Sequence, residues 1–210
     1  MIQPKQVLIS TGIFAAVYLF LLLPFSGVGK SYASFYRKQA FTFFHNFGDK
    51  GFVVFEERDD SENDDTRVYQ ANKTLAGKNG DVQSVPFNMS IRVLAYLPNI
   101  LLFSLFAATP VRWKKKLMLM VSGFLILDLF LLFFLYILIL TKYIETPWLQ
   151  LYQDLGKGTT SMAKSLNAAI NHGMGLNGFL VVLIWLSLVY FFERKALEQF
   201  FSKRKENSPS

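Results

Sequence analysis

The run "FLILDLFLLFFLYILIL", residues 124 to 140, is almost pure hydrocarbon with one acid, Asp128, near its middle. Few environments accept such a stretch. A helix rises 1.5 Å per residue, so a bilayer core of about 30 Å takes about 20 apolar residues. The run widened to 117–141 meets that length. Composition agrees: 52% of the 210 residues are hydrophobic, 18% are charged and 22 are Phe. That is more apolar than an ordinary soluble domain and belongs to a membrane class.

Three further segments fit the same reading. They are "VLISTGIFAAVYLFLLLPFSGVG" at about 7 to 29, "RVLAYLPNILLFSLFAATP" at about 92 to 110, and the shorter "LNGFLVVLIWLSLVYFF" at about 176 to 192. The expected fold class is therefore membrane α-helical. It has four transmembrane helices, with a small extracytoplasmic α+β region between helices 1 and 2. The corresponding domains are an N-terminal anchor (1–29), the outer region (30–91), a three-helix membrane region (92–193) with an outer loop at 142–175, and a basic tail (194–210). The first run exceeds the usual signal-peptide core of about 7–15 residues, and only Lys5 precedes it. A retained anchor is expected, although "SYA" at 31–33 offers a small-x-small site.

Lys and Arg accumulate on the cytoplasmic side of membrane proteins. With both termini inside, the inner segments carry Lys5, Arg112, Lys114, Lys115, Lys116, Arg194, Lys195, Lys203, Arg204 and Lys205. Only Glu193, Glu198 and Glu206 oppose them. The outer region is close to neutral. The clamp of Arg112, Lys114, Lys115 and Lys116 thus predicts orientation and contact with anionic lipid. The net charge of +7 is not read as a nucleic-acid footprint. The expected location is a bacterial inner membrane, multi-pass.

In the outer region, "SYASFYRKQAFTFFHNFG" predicts an amphipathic helix. Its stripe is Tyr32, Phe35, Tyr36, Phe43 and Phe47, with Arg37, Lys38 and Gln39 on the other side. The β-branched flanks of "GFVVFEERDDSENDDTRVYQAN" predict a β-hairpin. Asn79-Gly80 predicts a second turn, and "SVPFNMSIRV" a third short strand. The acidic run lacks EF-hand spacing and reads as a solvated tip. Asn72 and Asn88 match the glycosylation sequon. "SMAKSLNAAI" predicts a turn or two of amphipathic helix in the second outer loop.

An acid at mid-bilayer is costly and faces the bundle in search of a partner. Counted from the inner boundary, Tyr18, Asn99 and Asp128 each lie about eleven residues outward, roughly 16 Å at the helical rise. They are expected to form one intramembrane polar cluster, Tyr18–Asn99–Asp128, with Pro98 removing a backbone donor nearby. Interhelical glue is the leading reading and proton binding the competing one.

The sequence has no Cys and only two His, His45 and His172. Thiol chemistry and thiolate metal sites are excluded. No catalytic constellation, metal cluster or cofactor motif appears, and "GKGTT" at 156–160 lacks P-loop spacing. No enzyme activity is expected.

The block "VPFNMSIRVLAYLPNILLFSLFAATPVRWKKKL" combines a strand, a Tyr–Leu–Pro turn, small residues and a basic clamp. With the preceding anchor and β-rich region, it resembles the small multi-pass proteins that accompany exosortases in bacterial envelopes. The resemblance covers about residues 1 to 140. It implies a non-catalytic accessory or scaffold of envelope protein sorting, with a membrane protein partner such as an exosortase-type enzyme. It transfers no functional residues. The alternative is a small transporter or proton-coupled permease subunit centred on Asp128.

Overall fold

Two of the apolar runs stop being helix close to a proline. The computed structural model describes residues 4–23, 27–58, 65–77, 82–152, 155–171 and 177–192. Helix α1 (Pro4–Leu22) closes two residues short of Pro24. The segment leading into span two opens as a π turn at Arg92–Tyr96, where the Leu97 amide donates to the Arg92 carbonyl. Pro98 then occupies the first turn of helix α3 (Leu97–Ala108), a position where its missing N–H costs nothing. Pro110 lies just past the end of α3.

The expectation of four transmembrane helices is therefore corrected. Among the described residues one helix, α4 (Trp113–Ile144), is long and apolar enough to cross a membrane. The other apolar stretches, Val7–Leu22, Arg92–Ala108 and Asn177–Phe192, are shorter. Hydropathy sums composition along a window, whereas helix length depends on an unbroken series of backbone donors. The 32 residues of α4 extend about 48 Å at the helical rise. Leu127, Leu131, Leu135 and Ile139 recur every fourth residue and are buried, while Leu125, Leu129 and Phe133 face outward.

Helix α2 (Val28–Phe44) follows α1. Then come β1 (Asn46–Phe47), β2 (Gly51–Glu57), β3 (Thr66–Asn72) and β4 (Ser84–Met89). They form one antiparallel meander in the order β1-β2-β3-β4. The predicted hairpin is β2–β3, in register from Gly51↔Asn72 to Glu57↔Thr66. The predicted third strand is β4, which pairs from Thr66↔Met89 to Ala71↔Ser84. Pro86 is tolerated because β4 is an edge strand. The acidic tip at 59–64 and the Asn79-Gly80 turn lie outside the described residues. Helix α5 (Lys157–Asn171) packs on α4 and is longer than the one or two turns expected. Helix α6 (Asn177–Phe192) ties to the end of α3 through the Trp185 indole, which donates to Thr109 Oγ1 at 2.9 Å.

The sheet is fastened to the far end of α4. The Tyr143 hydroxyl accepts from the Phe52 amide at 3.1 Å and donates toward the carbonyls of Phe52 (3.0 Å) and Ala71 (3.1 Å). It thereby bridges β2 and β3. Gln70 Nε2 donates to the Ile139 carbonyl at 2.8 Å, and Asn72 Nδ2 to the Leu149 carbonyl at 2.7 Å. The Tyr143 ring stacks on Phe47 at 5.4 Å. Nearby, Gly48 has φ of 65°, and a Cβ there would sit 2.6 Å from the Tyr152 hydroxyl. Only glycine suits both the conformation and the approach.

Asp65 closes the other end of the sheet. Its two carboxylate oxygens accept from the amides of Ile91 and Arg92, each at 2.9 Å. A carboxylate facing free amides at a helix start is doubly favourable, by capping and by the helix dipole. Expected as part of a solvated tip, Asp65 instead anchors β3 to the entrance of the π turn.

Replacing Tyr143 by Phe leaves the ring packing in place and removes the bridge. Burial of unmatched backbone groups costs about 1–3 kcal/mol. Thermal unfolding in a neutral detergent is expected to show a lowered midpoint for Tyr143→Phe, with the loss centred on the sheet's circular-dichroism signal.

Candidate functional site

Helix α2 brings polar groups to Asp128, the acid within the apolar run of α4. Tyr32, Tyr36 and Gln39 stand at i, i+4 and i+7, a spacing that places them on one helical face. Ala33, Tyr36, Arg37 and Ala40 are buried, whereas Phe35 and Phe43 are exposed. The sequence reading put Arg37 and Gln39 on the solvent side, and the structure corrects both. Arg37 turns to the sheet, where it pairs with Glu57 at 2.6 Å and donates to the Asp65 carbonyl at 3.4 Å. Gln39 reaches α4, and its Nε2 donates to Asp128 Oδ2.

Around this contact lies a compact polar cluster. Asn99 Nδ2 donates to the Tyr32 hydroxyl at 2.8 Å and to the Ala95 carbonyl at 3.0 Å. The Tyr32 ring stacks on Tyr36 at 6.4 Å and tilts against Tyr96 at 5.4 Å. Tyr96 in turn donates to the Leu21 carbonyl at 3.1 Å, at the end of α1. The Tyr36 hydroxyl and Gln39 Oε1 are buried with no hydrogen-bond partner among the described residues.

A cavity of about 390 Å³ opens beside the cluster. Tyr32, Asn99 and Asp128 supply its polar end, and Leu21, Ile100 and Leu125 contribute to its apolar walls. Two of the three predicted cluster residues, Asn99 and Asp128, thus share one site. Tyr18 does not line the cavity; it stacks on Phe14 at 5.7 Å within α1. The place expected for Tyr18 is taken by Tyr32 from α2. The signal existed, because Tyr32, Tyr36 and Gln39 repeat at helical spacing, but an aromatic stripe with that period reads first as packing.

The other sequence candidates fall elsewhere. Arg112, Lys114 and Lys115 are exposed at the start of α4, and Lys116 Nζ donates to the Ala107 carbonyl at 2.7 Å. Arg112, Lys115, Pro110 and Val111 line a second recess of about 400 Å³. Cations at a helix N-terminus oppose its dipole, so the helix itself does not call for them there. Asn72 is 2% exposed and spends its side chain on Leu149 and Thr74. Burial therefore removes it as a glycosylation acceptor, while Asn88 is exposed. His172 lies outside the described residues.

Burial raises the Tyr32 phenol well above its usual 10.0, the nearby Asp128 adds to the rise, and the Asn99 bond partly offsets it. Burial, then Tyr32 and Asp128, push Tyr36 the same way. Comparison with known proteins found no matching family model, no matching curated protein and no matching solved structure.

Both tyrosines keep their protons in the fold at a pH where the unfolded chain loses them. Unfolding above pH 10 thus releases protons, and stability falls as pH rises. The contribution is fully present below about pH 10 and declines by about 1.4 kcal/mol per pH unit per tyrosine above it. Melting scans from pH 9 to 11 are expected to show a steepening loss of stability that is shallower in Tyr32→Phe.

Proposed function

We propose that this chain is a non-catalytic accessory or scaffold protein of an envelope protein-processing system, set in a bacterial cytoplasmic membrane. The observation that carries the reading is the joint between sheet and helix. Tyr143, Gln70 and Asn72 fix a four-stranded sheet to the end of the one long apolar helix. A sheet held at constant height above an apolar shaft is suited to presenting a surface to a partner. The Tyr143 hydroxyl and the amide nitrogens of Gln70 and Asn72 are spent on that joint.

The outer skin supports the membrane setting. Leu8 and Leu19 of α1, Leu125 and Leu129 of α4, and Leu186 and Phe191 of α6 are all more than half exposed. Apolar surface of that extent marks contact with membrane or protein. The basic residues at the start of α4 suit anionic headgroups at the cytoplasmic face, with the sheet on the opposite side. The resemblance carried by residues 1 to 140 suggests the class of partner, an exosortase-type processing enzyme.

Asp128 favours a second reading, a small transporter or proton-coupled permease subunit. A relay usually needs a chain of ionisable groups. The described neighbours of Asp128 are Gln39, Tyr32, Tyr36 and Asn99, which makes a short chain for that task.

The test is a mild-detergent pull-down of the tagged chain from its own host membrane, done with wild type and with Asp128→Asn. The isosteric amide still accepts the Gln39 bond. The expected outcome is one stoichiometric membrane protein partner captured equally by both. Capture of no partner by the wild type would sink the accessory reading. Proton flux into reconstituted vesicles that Asp128→Asn abolishes would establish the second.

A further inference from the structure

The polar end of the 390 Å³ cavity is rich in acceptors and has no cation. The one amide that lines it, Asn99 Nδ2, is spent on Tyr32 and Ala95, and Gln39 Nε2 behind it donates to Asp128. What remains are the second carboxylate oxygen of Asp128, Asn99 Oδ1 and the Tyr32 hydroxyl, which accepts from Asn99 and keeps its own hydrogen to donate. Gln39 Oε1 and the Tyr36 hydroxyl stand behind them, buried and unpartnered. Among the described residues Asp128 has no Lys or Arg partner. A partly buried carboxylate held only by a neutral amide is an incomplete arrangement, since buried charges are ordinarily paired.

The walls specify the rest of the ligand. Tyr32, Phe35, Tyr96, Phe103 and Phe124 border the cavity, and π faces beside a carboxylate are how proteins recognise ammonium groups. Beyond the aromatic residues, Leu21, Val28 and Ile100 offer hydrocarbon contact. Phe35 and Leu125 are 62% and 63% exposed, which marks the mouth between α2 and α4. The volume lies within the range of about 300–1,000 Å³ typical of small-molecule sites.

We propose that this cavity binds an amphiphile with a single ammonium head and an alkyl tail. The head donates to Asp128, Asn99 Oδ1 and Tyr32, a set that matches the three N–H donors of a primary ammonium. The tail lies along Leu21, Ile100 and Leu125 toward the mouth. A phosphate or sulfate head would meet the Asp128 carboxylate and be repelled. The cavity would take this ligand whether or not the chain serves a partner protein.

The probe is dodecylammonium, titrated calorimetrically into the full chain in neutral maltoside micelles, with protein-free micelles as the blank. Dodecanol and dodecyl sulfate are the matched controls. Saturable binding of the ammonium is expected, at least tenfold tighter than either control. Asp128→Asn should weaken it tenfold or more, and Leu125→Trp, which fills the mouth from an exposed position, should abolish it. Melting curves of both variants establish that each is folded. Equal binding of dodecanol and dodecylammonium would show that the cavity reads only the tail and would overturn the proposal. Undiminished binding in a folded Asp128→Asn would do the same. If that variant does not fold, undiminished binding in Leu125→Trp is the overturning result.

Discussion

One hydroxyl, that of Tyr143, holds the two halves of this protein in register. It sits where β2 and β3 face the last turn of α4, and it engages backbone groups of both strands. A sheet of four short strands with one two-residue member has little core of its own, and units of this size are marginal unless they lean on something. Here they lean on the helix. The side chains of Gln70 and Asn72 reach out of β3 to carbonyls beyond the sheet. Val53, Val68 and Phe47 then share a core with Leu135 and Ile139. Position and stability of the sheet thus derive from the same few contacts.

Local pattern carried the sheet and failed for the spans. The β2–β3 hairpin, β4 and the amphipathic α2 were legible because their periods of two and 3.6 survive in short windows. The four-span expectation rests on window hydropathy, which does not register where a helix ends: the second apolar run is helical from Arg92 to Ala108 and stops before Pro110. Pro98, expected to remove a backbone donor near Asn99, stands in the first turn of α3 directly after the π turn. Asp65 was not legible at all. Its partners, Ile91 and Arg92, lie 26 and 27 residues on, and no short window contains both ends.

The polar cluster was half legible for a related reason. Depth counting aligned Asn99 with Asp128 because both sit on helices that pack along the same axis. It also selected Tyr18, which shares their count but not their site. The third member comes from α2, which the span boundaries and charge distribution assign to the outer region. The helix reaches inward because Tyr32, Tyr36 and Gln39 form one face while Arg37, about a quarter-turn away, is drawn to Glu57 of the sheet. One short helix thereby reaches a carboxylate on α4 and forms a charge pair with β2.

That double attachment bears on what Asp128 is for. A carboxylate meant only to hold helices together is best served by two strong donors or by a cation. Asp128 receives one amide hydrogen from Gln39, and the amide of Asn99, which lines the same cavity, is turned to Tyr32 and Ala95 instead. The Asn99 amide is thus directed away from the acid's second oxygen, and aromatic residues border the space in front of it. Structural glue explains the Gln39 contact. It does not explain why the Asn99 amide is spent on Tyr32 and Ala95 within reach of an acid that receives one amide hydrogen. A guest that brings its own donors explains both, and it leaves the sheet, fastened by Tyr143 about four turns further along α4, free to serve a separate task.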